Sequence, residues 1–107
     1  MAEQFVGING FDNYEIGNEG SVRNKKTGRI LKTWKSNSGY DVCRLMNGVD
    51  DKRIYIHHLV GKAFCANPNM RNELDHIDRN KSNNKSSNLR WVTHSENMRN
   101  TIRTKKI

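Results

Sequence analysis

Proline is nearly absent from this 107-residue chain, which carries Pro68 and no other. Cysteine is scarce too: Cys43 and Cys65 are the whole supply, and neither belongs to a CxxC pair. Two such cysteines make no disulfide framework, and a reducing, cytoplasmic setting is the natural reading. Hydrophobic residues are 34% and aromatics 7% of the chain. No run approaches the roughly 18 apolar residues of a membrane helix, so no membrane partner is expected. Met1-Ala2-Glu3-Gln4 lacks a basic run followed by an apolar one, so no secretory leader is expected there. Internal repeats and a Pro/Gly/Ser linker are also missing. The length allows one domain, or two very small ones sharing a thin core.

Acid is the remaining shortage. There are 19 Lys+Arg against 11 Asp+Glu, a formal net charge of +8. That favours an anionic partner, nucleic acid first, although a basic soluble protein fits the number equally well. Residues 1–56 hold 9 basic and 7 acidic side chains, and residues 57–107 hold 10 and 4. Arg23, Lys25, Lys26, Arg29, Lys32 and Lys35 fall in an acid-free stretch between Gly20 and Tyr40, and Arg99, Arg103, Lys105 and Lys106 form another. On one face, such segments would make a groove for a phosphate backbone.

Residues 11–56 read as short strands. Ser21–Asn24 and Arg29–Lys32 flank a hairpin ending in Gly28, and Tyr40–Met46 and Arg53–Ile56 flank Asn47-Gly48, a strong hairpin signal. A helix follows over His57–Cys65, with Leu59, Val60, Ala63 and Phe64 as one apolar stripe, closed by Asn67-Pro68. Glu73–Ile77 and Asn88–Val92 are strand-like, with Leu89 and Trp91 on one face. Between them Asp78–Ser87 has no aliphatic or aromatic side chain and is expected at the surface. Thr93-His94-Ser95-Glu96 matches a capping box, predicting a helix from His94 toward Arg103.

Asp75 and His76 are adjacent, so on a regular strand they face opposite ways and share a site only if the strand breaks there. Asn88 and Asn97 follow at spacings of 12 and 22 residues. If the two strands and the helix fold back on each other, the four side chains can converge. A carboxylate and an amide oxygen suit a hard divalent cation, and an imidazole suits a general base near neutral pH. The plain reading of Asp75-His76 alone is a surface ion pair at a strand end; the two asparagines favour the catalytic one.

Leu74-Asp75-His76-Ile77-Asp78-Arg79-Asn80-Lys81-Ser82-Asn83-Asn84, with Asn88-Leu89-Arg90-Trp91-Val92-Thr93 and Ser95-Glu96-Asn97, resembles the HNH endonuclease family, in its phage and intron homing branch. His57-His58-Leu59-Val60…Ala63-Phe64…Asn67-Pro68 fits the helix preceding the motif there. Ile8…Gly10-Phe11-Asp12…Tyr14-Glu15-Ile16…Asn18…Gly20…Val22-Arg23 is similar to the NUMOD4 module. The resemblance implies an α+β fold: a small N-terminal antiparallel β module over 1–56, which would bind DNA, then a helix and a ββα-metal (His-Me finger) motif within 57–107. It implies a metal-dependent DNA endonuclease of nicking or homing type, acting on double-stranded DNA in the host cell of a phage or mobile element.

By that resemblance His76 is the general base, Asn88 orients His76 and braces the loop, and Asp75 and Asn97 are the protein ligands of Mg²⁺ or Mn²⁺. Asn97 stands where many members have His, which disfavours zinc. Arg79, Lys81, Lys85 and Arg90 lie beside the site and could hold phosphates, while Arg23, Lys25, Lys26, Arg29 and Lys32 could line a groove as a β-ribbon. Arg79 departs from the family's usual Gly, so it is strained or serves DNA. Phe5 replaces a usual Trp. Trp34 is read as packing on the sheet rather than stacking on nucleic acid, Cys43 and Cys65 as small buried hydrophobes, His57 and His58 as structural or surface residues, and His94 as exposed. Homing relatives often continue into a helix-turn-helix, so the chain is either a minimal nuclease of low specificity or a piece of something longer. Monomer and homodimer both remain open. Two other classes stand beside the enzyme: a non-catalytic DNA-binding protein on the same fold, and a small basic RNA-binding protein, which the lack of an exposed aromatic run disfavours.

Overall fold

A computed structural model describes residues 2–98. Three small antiparallel sheets surround one helix. Strands β1 (Phe5–Ile8), β2 (Phe11–Gly17) and β3 (Val22–Asn24) form the first, in that order. Strands β4 (Trp34–Lys35), β5 (Asp41–Met46) and β6 (Asp51–Tyr55) form the second. Helix α1 (Ile56–Phe64) follows without a break. The third sheet pairs β7 (Glu73–His76) with β8 (Leu89–Val92), joined by a loop that ends in a 3₁₀ turn, Ser86–Asn88. Residues 94–98 are helical and are termed α2. The fold is α+β, as the sequence implied.

The expected hairpins form where the turn residues put them. Gly48 takes φ +89° in the β5–β6 connection, a left-handed conformation that glycine adopts without cost. The arm predicted over Arg29–Lys32 shrinks to a single bridge between Arg23 and Ile30. The capping box closes both ways: the Thr93 amide donates to Glu96 Oε1 at 2.9 Å, and the Glu96 amide to Thr93 Oγ1 at 3.2 Å. Helix α2 therefore starts where its four-residue signature predicts. The continuation expected toward Arg103 lies outside the described residues.

A single apolar cluster unites the sheets: Ile8, Phe11, Ile16, Val22, Cys43 and Leu45 pack with Ile56, Leu59, Val60 and Leu89. The helix can approach β7 closely because Gly61 has no side chain; a Cβ there would lie 2.5 Å from Leu74 Cδ1. Trp91 fastens the other strand by donating its indole N–H to the Gly61 and Cys65 carbonyls at the end of α1. Cys43 is fully buried, which pushes its thiol up to about 11, whereas Cys65 is half-buried.

Two expectations fail here. Trp34 is 41% exposed rather than packed away, because β4 is a two-residue edge strand with a neighbour on one side only. The loop after β7 is not wholly at the surface, since Asn84 within it is buried.

Candidate active site

The register of the third sheet divides its side chains by face. Leu74 lies opposite Trp91 and His76 opposite Leu89, and these four turn toward α1. Glu73 lies opposite Val92 and Asp75 opposite Arg90, and these turn the other way. Strand β7 continues through His76 instead of breaking at Asp75. The two adjacent candidates therefore sit on opposite faces.

On the inner face His76 is 5% exposed. Its ring lies 5.9 Å from Tyr40 in a stacked arrangement and 5.0 Å from the His57 ring. Its Nε2 meets Asn84 Oδ1 at 2.8 Å. Asn84 in turn donates its amide nitrogen to Asp41 Oδ2 at 2.9 Å, and Lys35 Nζ meets the other oxygen of Asp41 at 2.8 Å. A carboxylate only accepts, so this contact fixes which end of the Asn84 amide faces His76. Asn84 offers an oxygen, and Nε2 carries the proton. In the neutral ring the lone pair is then on Nδ1. Among the described residues the only fully enclosed side-chain nitrogen or oxygen without a partner is His57 Nδ1.

On the outer face the Asp75 carboxylate is 7% exposed and receives Arg90 through both Nε and Nη2 at 3.0 Å. Asn97, on α2, donates its amide nitrogen to Glu73 Oε1 at 2.9 Å, which turns its carbonyl oxygen away from Glu73. His94 Nδ1 meets Glu73 Oε2 at 2.7 Å, and these two contacts hold the Glu73 carboxyl below the usual range. The two candidate ligands, Asp75 and Asn97, offer a carboxylate and an amide oxygen, a pair that suits a hard divalent cation. No group of three or more His, Cys, Asp or Glu is arranged around a common point among the described residues. Asp75 and Asn97 fit a lean site of two protein ligands.

Asn88 braces the loop. It accepts from the Asp78 amide at 3.1 Å and donates to Asp78 Oδ1 at 3.0 Å and to the Asn83 carbonyl at 2.9 Å. Bonds from the Asn83 side chain, then the Asn80 amide, then the Asn88 side chain hold the Asp78 carboxyl below its ordinary range. The amide bonded to the His76 ring is that of Asn84. Arg79 has φ +61°, the left-handed conformation that its replacement of glycine suggested.

The basic candidates divide into committed and exposed side chains. Arg23 is paired with Glu15 at 2.9 Å and lies 3.8 Å over the Phe5 ring, and Arg90 is paired with Asp75. Lys81 donates to the Ser38 carbonyl at 2.8 Å and sits 4.7 Å over the Tyr40 ring. Lys25, Lys26, Arg29, Lys32, Arg79 and Lys85 are exposed. Arg29 and Lys32 line an open groove together with Arg44. The outer face of the second sheet, with Trp34, Arg44, Arg53 and Tyr55 at its surface, adds a basic and aromatic patch that charge counting along the sequence missed. Alternation on β5, with Cys43 and Leu45 inward and Arg44 outward, was the signal available for it.

His57 is buried, not at the surface. It stacks on Tyr40 at 4.8 Å, and burial chiefly, then the neighbouring His58 and His76, lowers its pKa to about 3. His94 is exposed as expected.

Comparison with known proteins agrees with this geometry. The family model for HNH endonucleases matches residues 42–99, and that for the NUMOD4 motif matches residues 3–46. An uncharacterized HNH endonuclease, L245, of Acanthamoeba polyphaga mimivirus is 42% identical over 92 residues, covering 86% of this chain and 28% of its own length. DNA endonuclease I-HmuI of Bacillus phage SP01 is 38% identical over 94 residues, covering 87% of this chain and 54% of its own. A solved structure of DNA binding and cleavage by the HNH homing endonuclease I-HmuI superposes with a TM-score of 0.87 and 34% identity, over 97% of this chain and 60% of that one. The chain thus spans about half or less of the length of these curated relatives. With the HNH family model matched over residues 42–99 and the fold in common, this chain belongs to the HNH endonuclease family.

Proposed function

We propose that the chain is a divalent-metal-dependent DNA endonuclease that nicks double-stranded DNA, of the phage homing type. Residues 1–56 would grip the duplex and residues 57–107 would carry the chemistry. The observation that carries the reading is the contact at His76: Nε2 is occupied by Asn84, which in the neutral ring leaves the lone pair on Nδ1. That nitrogen would take the proton of a water whose oxygen attacks the scissile phosphorus in line. The P–O3′ bond would break and the leaving oxygen take a proton from solvent, giving a 5′-phosphate and a 3′-hydroxyl. Asp75 and Asn97 would hold the metal, which supplies Lewis-acid stabilisation of charge on the phosphate oxygens. His76 is the last residue of β7, and the chain turns into the loop directly after it. Asn88 would keep the loop braced against that end.

Arg23, Lys25, Lys26, Arg29, Lys32, Arg79, Lys81, Lys85 and Arg90 are the proposed DNA contacts. Exposed Lys25, Lys26, Arg29, Lys32 and Lys85 are the simplest to assign to phosphates. No helix among the described residues is long and apolar enough to cross a membrane. Action in the cytoplasm of a host cell is part of the same proposal. One site cuts one strand, so a double-strand break would need a second copy or a second event.

The burial of His76 favours one rival, a DNA-binding chain that keeps the fold without turnover. Supercoiled plasmid incubated with the chain and Mg²⁺ or Mn²⁺ decides between them. Conversion to the open-circular form supports the enzyme. DNA binding without nicking under either metal supports the rival.

A further inference from the structure

Asn84 and Asp41 stand outside every role assigned so far. Asn84 is 6% exposed in a loop whose neighbours are largely exposed, and a buried amide needs a reason. Its two ends are both used, on residues 8 and 43 positions away: His76 in the nuclease motif and Asp41 on β5. Asp41 is itself held from the far side by Lys35, which also bonds Ser82 in the same loop. The loop is further tied to the first sheet where the Ser86 amide donates to the Asn18 carbonyl at 2.8 Å, and to the second where Lys81 reaches Ser38.

We propose that Asp41 and Asn84 are positioning residues for His76, a relay from the second sheet that locks its proton on Nε2 and aims Nδ1 at the water. The inference rests on His76 being the base. Asp41 cannot donate, so a flipped Asn84 amide would set its oxygen against the Asp41 carboxylate and its NH₂ against the His76 Nε2–H. The tautomer of the ring is thereby set by a residue of the β part. Seating of the second sheet and readiness of the base are one event, because Lys35 and Asp41 lie on that sheet and Asn84 and Ser82 lie on the loop.

The tautomer is read directly from long-range ¹H–¹⁵N spectra of the metal-free chain labelled at histidine. The parent should give His76 as a single Nε2–H tautomer. Asn84→Ala should give a mixed tautomer. Asp41→Ala, which leaves the loop sequence intact, should give the same change. In plasmid nicking at saturating DNA, both variants should lose about 10- to 100-fold in turnover with unchanged DNA affinity, the usual scale for groups that orient a reactive one. Asn84→Asp alone sets two carboxylates against each other at the relay and should be at least as slow. Adding Asp41→Asn restores a donor facing an acceptor and should recover most of the rate. A parental Nε2–H tautomer in both alanine variants, or a double variant no faster than Asn84→Asp, overturns the relay. His76→Ala is run alongside. If it nicks like the parent, the base assignment fails, and the spectra still judge the relay separately.

Discussion

The two ends of this chain bury different things. Over residues 5–55 the buried side chains are apolar: Ile8, Phe11, Ile16, Val22, Val42, Cys43 and Leu45. Every buried polar or charged side chain described comes later: His57, Asp75, His76, Asn84 and Asn88. Burying a polar group costs free energy unless its bonds are made. The later region meets that cost with a network, and part of the network reaches back to Asp41 on the apolar side. The comparison teaches that both regions share the apolar core, to which the later one adds Ile56, Leu59, Val60 and Leu89. The buried polar side chains described belong to the later region alone and draw one anchor, Asp41, from the β part.

Predictions can break that division. The largest stability effect should come from the apolar side: Ile16→Ala, at a fully buried position, should cost about 2–5 kcal/mol in urea unfolding. Asn88→Ala should cost less, about 1–3 kcal/mol, because it leaves Asp78 and the Asn83 carbonyl short of partners. Faster hydrogen exchange at the Asp78 amide would locate the damage in the loop. Equal losses for the two variants would contradict the division.

His57 sharpens it. Between its ordinary pKa of 6.5 and its folded value of about 3, the unfolded chain holds a proton that the folded ring refuses. Stability should therefore fall as the pH drops through that window, by at most about 1.4 kcal/mol per unit from this group. His57→Phe should flatten the slope and be neutral or stabilising at neutral pH, since Nδ1 has no partner to lose. An unchanged slope in denaturation at pH 4–7 would show that the acid sensitivity comes from elsewhere.

The smallest change in stability should accompany a large change in binding. Replacing exposed Lys25, Lys26 and Arg29 together by Gln should alter stability by no more than about 0.5 kcal/mol. It should flatten the dependence of log K on log[salt] by about 0.9 for each phosphate contact removed. An identical salt slope would move the DNA contacts to the Trp34, Arg44, Arg53 and Tyr55 face.

Much of the fold was legible because its signals are local. The Thr93–Glu96 box names the first turn of α2, Asn47-Gly48 names the hairpin, and the stripe of Leu59, Val60 and Phe64 finds α1 within a residue of its start. Alternation along β7 already implied that Asp75 and His76 part company. What each face meets was not legible. Asn84 and Asp41 are 43 residues apart, and no pattern in either neighbourhood announces the pair. Asn83 and Asn84 look alike in the loop, yet one bonds Asp78 near the surface and the other is buried against His76. Trp34 was misread because an aromatic residue in a strand usually packs, and the shortness of β4 that leaves it open follows from the tertiary edge.

The central claim is that His76 is a base with Nε2 engaged and Nδ1 left to react. Nicking of supercoiled plasmid in Mg²⁺ by the parent chain and by His76→Ala, with DNA affinity measured in parallel, tests it most directly. The account predicts open-circular product from the parent, a loss of about 10²- to 10⁴-fold in the variant, and equal affinity for both. Equal nicking by the variant would contradict it.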